Sequence, residues 1–414
     1  MRLVVVLLLS LASAARAAAD CPTLQFEPWL TFDDHDLVQD VRSVDLNRDG
    51  RLDFVVSESN YDFVSVFINT GNGFDELHHV PTGEQPYPLS FADVDGDGQL
   101  DICTGGGDRS LAILFARDGG FSFSAPTVVP DAGEAAIVGL VVSDFDGDGH
   151  VDSSAGGNFA NTLTLLHGQS STTFTPWMVF DAGTPIGPAA RADLNRDGLE
   201  DAVFTSYFFG VSVLLSQRGA TPAFSQYRSA LPSNHDMVLV ADLDADGRLD
   251  IAQAGYQGVA SYLQNVDGTF TPSVAVMGEP TELFGLASGD FDGDGRADLV
   301  ASDVQTRVRF FLNEPTGFTT AGEIPSLAQP LRLATGDFDG DGRVDVVLST
   351  YASSKILVFR NVTACARVSD GGVVGTTDGG AGVRWYPVGC TCSHGDASLL
   401  WFALLLLRAR RRVA

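Results

Sequence analysis

The chain has 414 residues and carries 53 acidic side chains against 25 basic ones, a formal net charge of −28. The acid is concentrated: 26 Asp lie in seven nine-residue loops, and without them 27 acidic residues face 25 basic ones. A solvating acidic tail and a generally acidic surface are therefore excluded, and nothing favours a nucleic-acid partner.

Met1-Arg2, an apolar run from Leu3 and small residues through Ala19 read as a secretory signal peptide over 1–19. Asp20 before Cys21 argues against a lipoprotein signal. Next comes an orphan segment, Thr23 to Phe32, whose alternation reads as an outer β-strand with no partner nearby.

The seven loops then follow at starts 45, 93, 144, 193, 242, 290 and 337. Positions one, three, five and nine are Asp45, Asn47, Asp49 and Asp53 in the first, then Asp93, Asp95, Asp97 and Asp101. The third and fourth hold Asp144, Asp146, Asp148, Asp152 and Asp193, Asn195, Asp197, Asp201. The last three hold Asp242, Asp244, Asp246, Asp250, then Asp290, Asp292, Asp294, Asp298, then Asp337, Asp339, Asp341, Asp345. Three or four carboxylates in nine residues repel one another unless a cation neutralises them. Hard oxygens at alternate positions followed by a Gly turn suit Ca²⁺, as in the first part of an EF-hand, so up to seven ions are expected. Asp-Gly turns that merely connect strands do not account for a ninth-position Asp present in every copy. The seventh position varies, as expected if only its carbonyl serves as a ligand.

A period near 49 residues implies a circular or stacked repeat. In the repeat at Asp290, short strands start at Leu283, Asp298, Val308 and Phe318, with turn residues between them and no helical periodicity. Seven such units make an all-β, seven-bladed β-propeller of four-stranded antiparallel blades over 20–366. The seventh repeat ends after its third strand, Lys355 to Phe359, so the orphan N-terminal strand is expected to complete the last blade. Cys21 precedes that strand and Cys365 follows the last third strand. A disulfide between them would replace the covalent hairpin found in the other blades. Cys103 lies in an apolar run and reads as a buried small hydrophobe.

The loops between second and third strands should lie opposite the metals. They carry Tyr61, Asp108, Arg109, Asn158, Phe159, Tyr207, Phe208, Tyr256, Gln257 and Tyr351. The rings either form a ligand platform, with Tyr61, Phe159, Tyr207, Tyr256 and Tyr351 as candidates, or pack against adjacent blades. No HExxH or Gly-x-Ser-x-Gly pattern is present, and no catalytic residue is assigned.

After a Gly-rich linker over 367–388, residues 389–414 hold Cys390, Cys392, a short apolar run from Leu399 and Arg408 to Arg412. The run is shorter than an ordinary spanning helix.

The Asp-x-Asp-x-Asp-Gly-x-x-Asp loop between the first two strands of a roughly 49-residue repeat resembles the FG-GAP and VCBS families, including integrin α-chain propellers. The resemblance covers about 22–362 and implies Ca²⁺ held by positions one, three, five and nine. Integrin-style Phe-Gly and Gly-Ala-Pro boxes are not regular here. The C-terminal order of Cys motif, apolar run and arginines resembles the MYXO-CTERM sorting signal, which implies processing at Cys390 or Cys392. Together these imply an exported protein, at the cell surface, outer membrane-associated or released, touching membrane only through its C-terminal segment. Its expected partner is an extracellular glycan or protein; the alternative is a secreted polysaccharide lyase or hydrolase.

Overall fold

A computed structural model describes residues 24–363, apart from 34, 36, 158, 230–234, 304 and 326. The segment read as a signal peptide, Cys21, Cys365, the expected linker and the C-terminal segment lie outside the described residues.

The fold is a seven-bladed, all-β propeller, and no helix occurs among the described residues. The first blade runs Val38–Val44, Asp53–Glu58, Phe63–Asn69 and Phe74–Pro81, each strand antiparallel to the next. Third and fourth blades repeat this order from Ile137 to Asp181 and from Ile186 to Arg228. The second blade adds a small hairpin, Ala116–Arg117 with Ser122–Phe123, before its short outer strand Thr127–Val129. In the fifth, Asp250–Gln264 is one element that pairs inward with His235–Ala241 and outward with Phe270–Gly289. Phe270–Gly289 continues into the inner edge of the sixth blade, against Asp298–Asp303.

The N-terminal strand closes the ring. Phe26–Phe32 pairs with Lys355–Asn361, from Phe26 opposite Asn361 to Phe32 opposite Ile356, and completes the seventh blade. It packs in both directions. Phe26 stacks on Phe310 of the sixth blade at 4.3 Å, and Phe32 meets Phe67 of the first at 4.7 Å. This strand therefore seals the seam on both sides.

Seven apolar clusters lie one between each pair of neighbouring blades. Each blade thus has two apolar faces, and its second strand is buried end to end, as in Asp201–Ser206 and Asp345–Thr350. The outer strands are half exposed, as in Thr173–Asp181. Crowding toward the axis selects Gly at specific points: a Cβ on Gly139 would stand 2.0 Å from the carbonyl oxygen of Gly187 in the next blade. Cys103 is a free, fully buried thiol, and burial pushes its pKa up.

Candidate metal loops and channel mouth

Each Asp loop joins the inner strand of a blade to its second strand, so all seven gather on one face of the disc. The sixth-position Gly has positive φ throughout, from +84° at Gly247 to +91° at Gly149, a region that costs a Cβ-bearing residue energy. That turn aims the Gly N–H at position one: Gly50 N donates to Asp45 Oδ2 at 3.0 Å and Gly295 N to Asp290 Oδ2 at 2.9 Å. Position five accepts from position seven in the same way, as Arg51 N does to Asp49 Oδ1 at 2.9 Å. Backbone donors thus fix one side of each carboxylate array while the other oxygens converge.

Carboxylate oxygens converge in the second, third, fifth and sixth loops, among others. Oxygens of Asp93, Asp95 and Asp101, of Asp144, Asp146 and Asp152, of Asp242, Asp244 and Asp246, and of Asp290, Asp292 and Asp294 lie within 4.8 Å of one another. Asp93 Oδ1 is buried with no hydrogen-bond donor, and such an orphaned oxygen fits a cation. Burial, reinforced by the neighbouring carboxylates, raises the Asp292 pKa to about 6. These residues fit a hard divalent ion such as Ca²⁺, which takes only oxygen ligands.

The ninth Asp has a structural task that the pattern alone does not reveal. Asp53, Asp101, Asp152, Asp201, Asp250, Asp298 and Asp345 are all buried. One oxygen of each accepts the N–H at position two of its own loop, and the other accepts an N–H where the third strand ends. In the first blade these are Leu46 N to Oδ2 at 3.0 Å and Asn69 N to Oδ1 at 2.8 Å. Desolvation raises the carboxyl pKa to about 7 in Asp152, Asp298 and Asp345 and to about 6 in Asp53, Asp101 and Asp201, although the backbone donors pull the other way.

The seventh position also does more than offer a carbonyl. Arg51, Arg248, Arg296 and Arg343 turn back to pair with Asp49, Asp246, Asp294 and Asp341. Arg51 and Arg248 also donate Nε–H to Asn69 O at 2.9 Å and Gln264 O at 2.8 Å, tying loop to third strand. These pairs are partly exposed, so each contributes about 0–1 kcal/mol and does not offset the acid.

The opposite face holds the mouth of the central channel. A cavity of about 220 Å³ is lined there by Gln39, Asp40, Arg42, Tyr87, Tyr207 and Arg332, among others. Arg42 Nε donates to Asp40 Oδ2 at 2.9 Å and its Nη2 to Ala189 O at 3.1 Å. Arg332 donates to Gln39 O at 2.8 Å and Phe284 O at 2.7 Å. Tyr61, Phe159, Phe208, Tyr256 and Tyr351, on the hairpins around this mouth, are 40–88% exposed. Of the candidates, only Tyr207 is half-buried, at the cavity wall; Tyr61 also stacks on Phe63 at 5.4 Å. The mouth arginines were missed from sequence, although a charged residue within an inner strand was the available signal.

The FG-GAP-like repeat family model matches residues 45–104, 93–153, 242–301 and 290–348. Cartilage acidic protein 1 of Mus musculus is 28% identical over 240 residues, covering 51% of this chain and 35% of that protein. The Homo sapiens protein of the same name is 26% identical over 245 residues, covering 51% and 34%. The match therefore spans about a third of the length of these relatives. Among solved structures, an Agrocybe aegerita lectin that specifically recognises non-reducing terminal N-acetylglucosamine is similar with a TM-score of 0.51 and 20% identity, over 83% of this chain and 87% of the lectin. BBS1N in complex with ARL6DN is similar with a TM-score of 0.55 and 12% identity, over 81% and 96%. At these identities the likeness concerns the fold.

Proposed function

Because the chain belongs to the FG-GAP-like repeat family, we propose that it is an exported, calcium-held propeller that binds an extracellular glycan or protein at its channel mouth. The observation that carries this reading is the separation of the two faces. Carboxylates occupy one, while the other combines a polar cavity with a rim of exposed rings. A concave mouth with a few convergent polar groups is the usual form of a ligand site, and aromatic faces suit sugar or peptide. Binding is favoured over polysaccharide cleavage because Asp40, the one carboxylate among the residues lining this cavity, is fully engaged. It accepts Val41 N–H, Leu89 N–H and the Arg42 guanidinium at 2.9–3.0 Å, so the cavity presents no free carboxylate.

Export is assigned to residues 1–19 and surface attachment to 389–414, the latter as a MYXO-CTERM-like signal acting at Cys390 or Cys392. A name recording cartilage and acidity in the two relatives is in keeping with an acidic extracellular propeller. By fold-level analogy alone, a lectin and a protein complex among the similar structures match the two ligand classes. The covalent closure is assigned to a Cys21–Cys365 disulfide.

A glycan and matrix-protein array, run with Ca²⁺ and with chelator, tests the reading. A calcium-dependent ligand is expected, with binding weakened by joint Tyr207→Ala and Tyr256→Ala substitution at an unchanged melting temperature. A ligand whose binding ignores both substitutions would move the site away from this mouth. Turnover of a polysaccharide on the array would replace the binding reading by the enzymatic one.

A further inference from the structure

The third loop differs from the other six in what stands over it. The third-strand residue just before the N–H that caps the ninth Asp is Ile68, Phe115, Leu215, Leu263, Leu312 or Arg360 in the other blades, and His167 in the third. His167 Nε2 lies 3.2 Å from Asp146 Oδ2, 3.2 Å from Asp148 Oδ2 and 3.9 Å from Asp152 Oδ1. That nitrogen is buried and has no hydrogen-bond partner. The seventh position here is His150, so no Arg clamps Asp148 as Arg51 clamps Asp49.

We propose that this loop, alone among the seven, is a mixed nitrogen-oxygen site for a borderline divalent cation such as Zn²⁺, with His167 Nε2, Asp146 and Asp148 as its ligands and Asp152 behind them. Imidazole adds affinity for Zn²⁺ that all-oxygen shells lack, whereas Ca²⁺ gains little from nitrogen. The 3.2 Å nitrogen-oxygen separations suit adjacent ligands on an ion with bonds of about 2.0–2.2 Å, shorter than the roughly 2.3–2.6 Å of Ca²⁺. The ring is already held: Gln169 Nε2 lies 2.7 Å from Nδ1 and Trp177 packs 5.1 Å from its centroid. Metal binding at Nε2 requires the proton on Nδ1, so the Gln169 amide must exchange its nitrogen for its oxygen at that position, after which the Nε2 lone pair faces the carboxylates.

The inference rests on reading the loops as cation sites, and one experiment separates the two. The full mature chain is dialysed against Ca²⁺ with trace Zn²⁺, both metals are counted by elemental analysis, and Zn²⁺ is titrated calorimetrically into the calcium-loaded protein. One Zn²⁺ per chain is expected beside bound Ca²⁺. His167→Gln should weaken it roughly a hundredfold or more, beyond the cost of losing an outer-shell partner. His167→Asp should also lose zinc while retaining calcium, which controls for folding. Zinc retained equally by both variants, or absent from the wild type, overturns the site. Zinc bound without calcium elsewhere would instead overturn the calcium reading and leave the zinc site standing.

Discussion

Asp298 and Asn313 lie 15 residues apart and meet at 2.8 Å, where the Asn313 backbone N–H donates to Asp298 Oδ1; the other oxygen takes Phe291 N–H at 2.9 Å. One buried carboxylate thus ties an Asp loop to the end of the third strand, and Asn313 Nδ2 extends the tie to Leu243 O of the preceding blade at 2.9 Å. Asp298→Ala would leave two buried donors unsatisfied. We expect it to destabilise by roughly 2–5 kcal/mol in chelator as well as in calcium. Asp294→Ala, at position five of the same loop, should matter chiefly when calcium is present. Melting curves of both variants in both buffers check this. Equal losses for the two variants in chelator would remove the special role of the ninth position.

Calcium should raise stability substantially. Each site contributes about 2.7 kcal/mol when free ion is 100 times its dissociation constant, and less if the sites are weak. Excess EDTA is therefore expected to lower the melting temperature, and added Ca²⁺ to restore it. An unmoved transition would sink the structural role of the ion.

Acidity should act in opposite directions with and without metal. In the metal-free fold, burial holds Asp298, Asp345 and Asp152 at about 7 and Asp53, Asp101 and Asp201 at about 6, above the unfolded value near 3.9. Between about pH 4 and 7 the folded chain binds more protons than the unfolded one. These groups therefore contribute stability at low pH and lose it as pH rises through 6–7. Ca²⁺ needs the carboxylates deprotonated, so its stabilising shift should grow over the same window. Scanning calorimetry at pH 5 and 7.5, with EDTA and with Ca²⁺, reads both slopes. A calcium shift that shrinks with rising pH would contradict the assignment.

Blade count, loop placement and ring closure were legible because each depends on local pattern. Asp-x-Asp-x-Asp-Gly fixes a turn, and the orphan alternation around Phe26 has one vacancy to fill. Contacts made through the assembled ring were not. Arg42 and Ala189 sit in the first and fourth blades and meet only across the channel. His167 reaches the third loop from a later strand, through the register that sets Leu166 opposite Ser153. Asp152–Gly157 reads as a polar, small-residue segment of low β-propensity, yet neighbouring blades bury all of it. The free variation expected of the seventh position missed the Arg–Asp pairs because side-chain direction follows from the turn.

The seam between first and last strands supplies the final prediction. Val362 N donates to Gln25 O at 2.8 Å, and Gln25 N donates to Thr363 Oγ1 at 3.0 Å, so the two chain segments run together to the edge of the described residues. Cys21 lies four residues before Gln25 and Cys365 three after Val362. A bridge between them would close nearly the whole propeller into one loop, for which the chain-entropy relation gives about 6 kcal/mol. Strain between the ends works against that gain, and the paired ladder keeps strain small by aligning them first. Non-reducing peptide mapping of exported protein should find the Cys21–Cys365 pair. Reductant, or joint Cys21→Ser and Cys365→Ser substitution, should lower the melting temperature and open the Phe26–Phe32 strand to hydrogen exchange before the other blades. Free thiols at both positions in the exported protein would leave closure to backbone pairing and the Phe26–Phe310 stack.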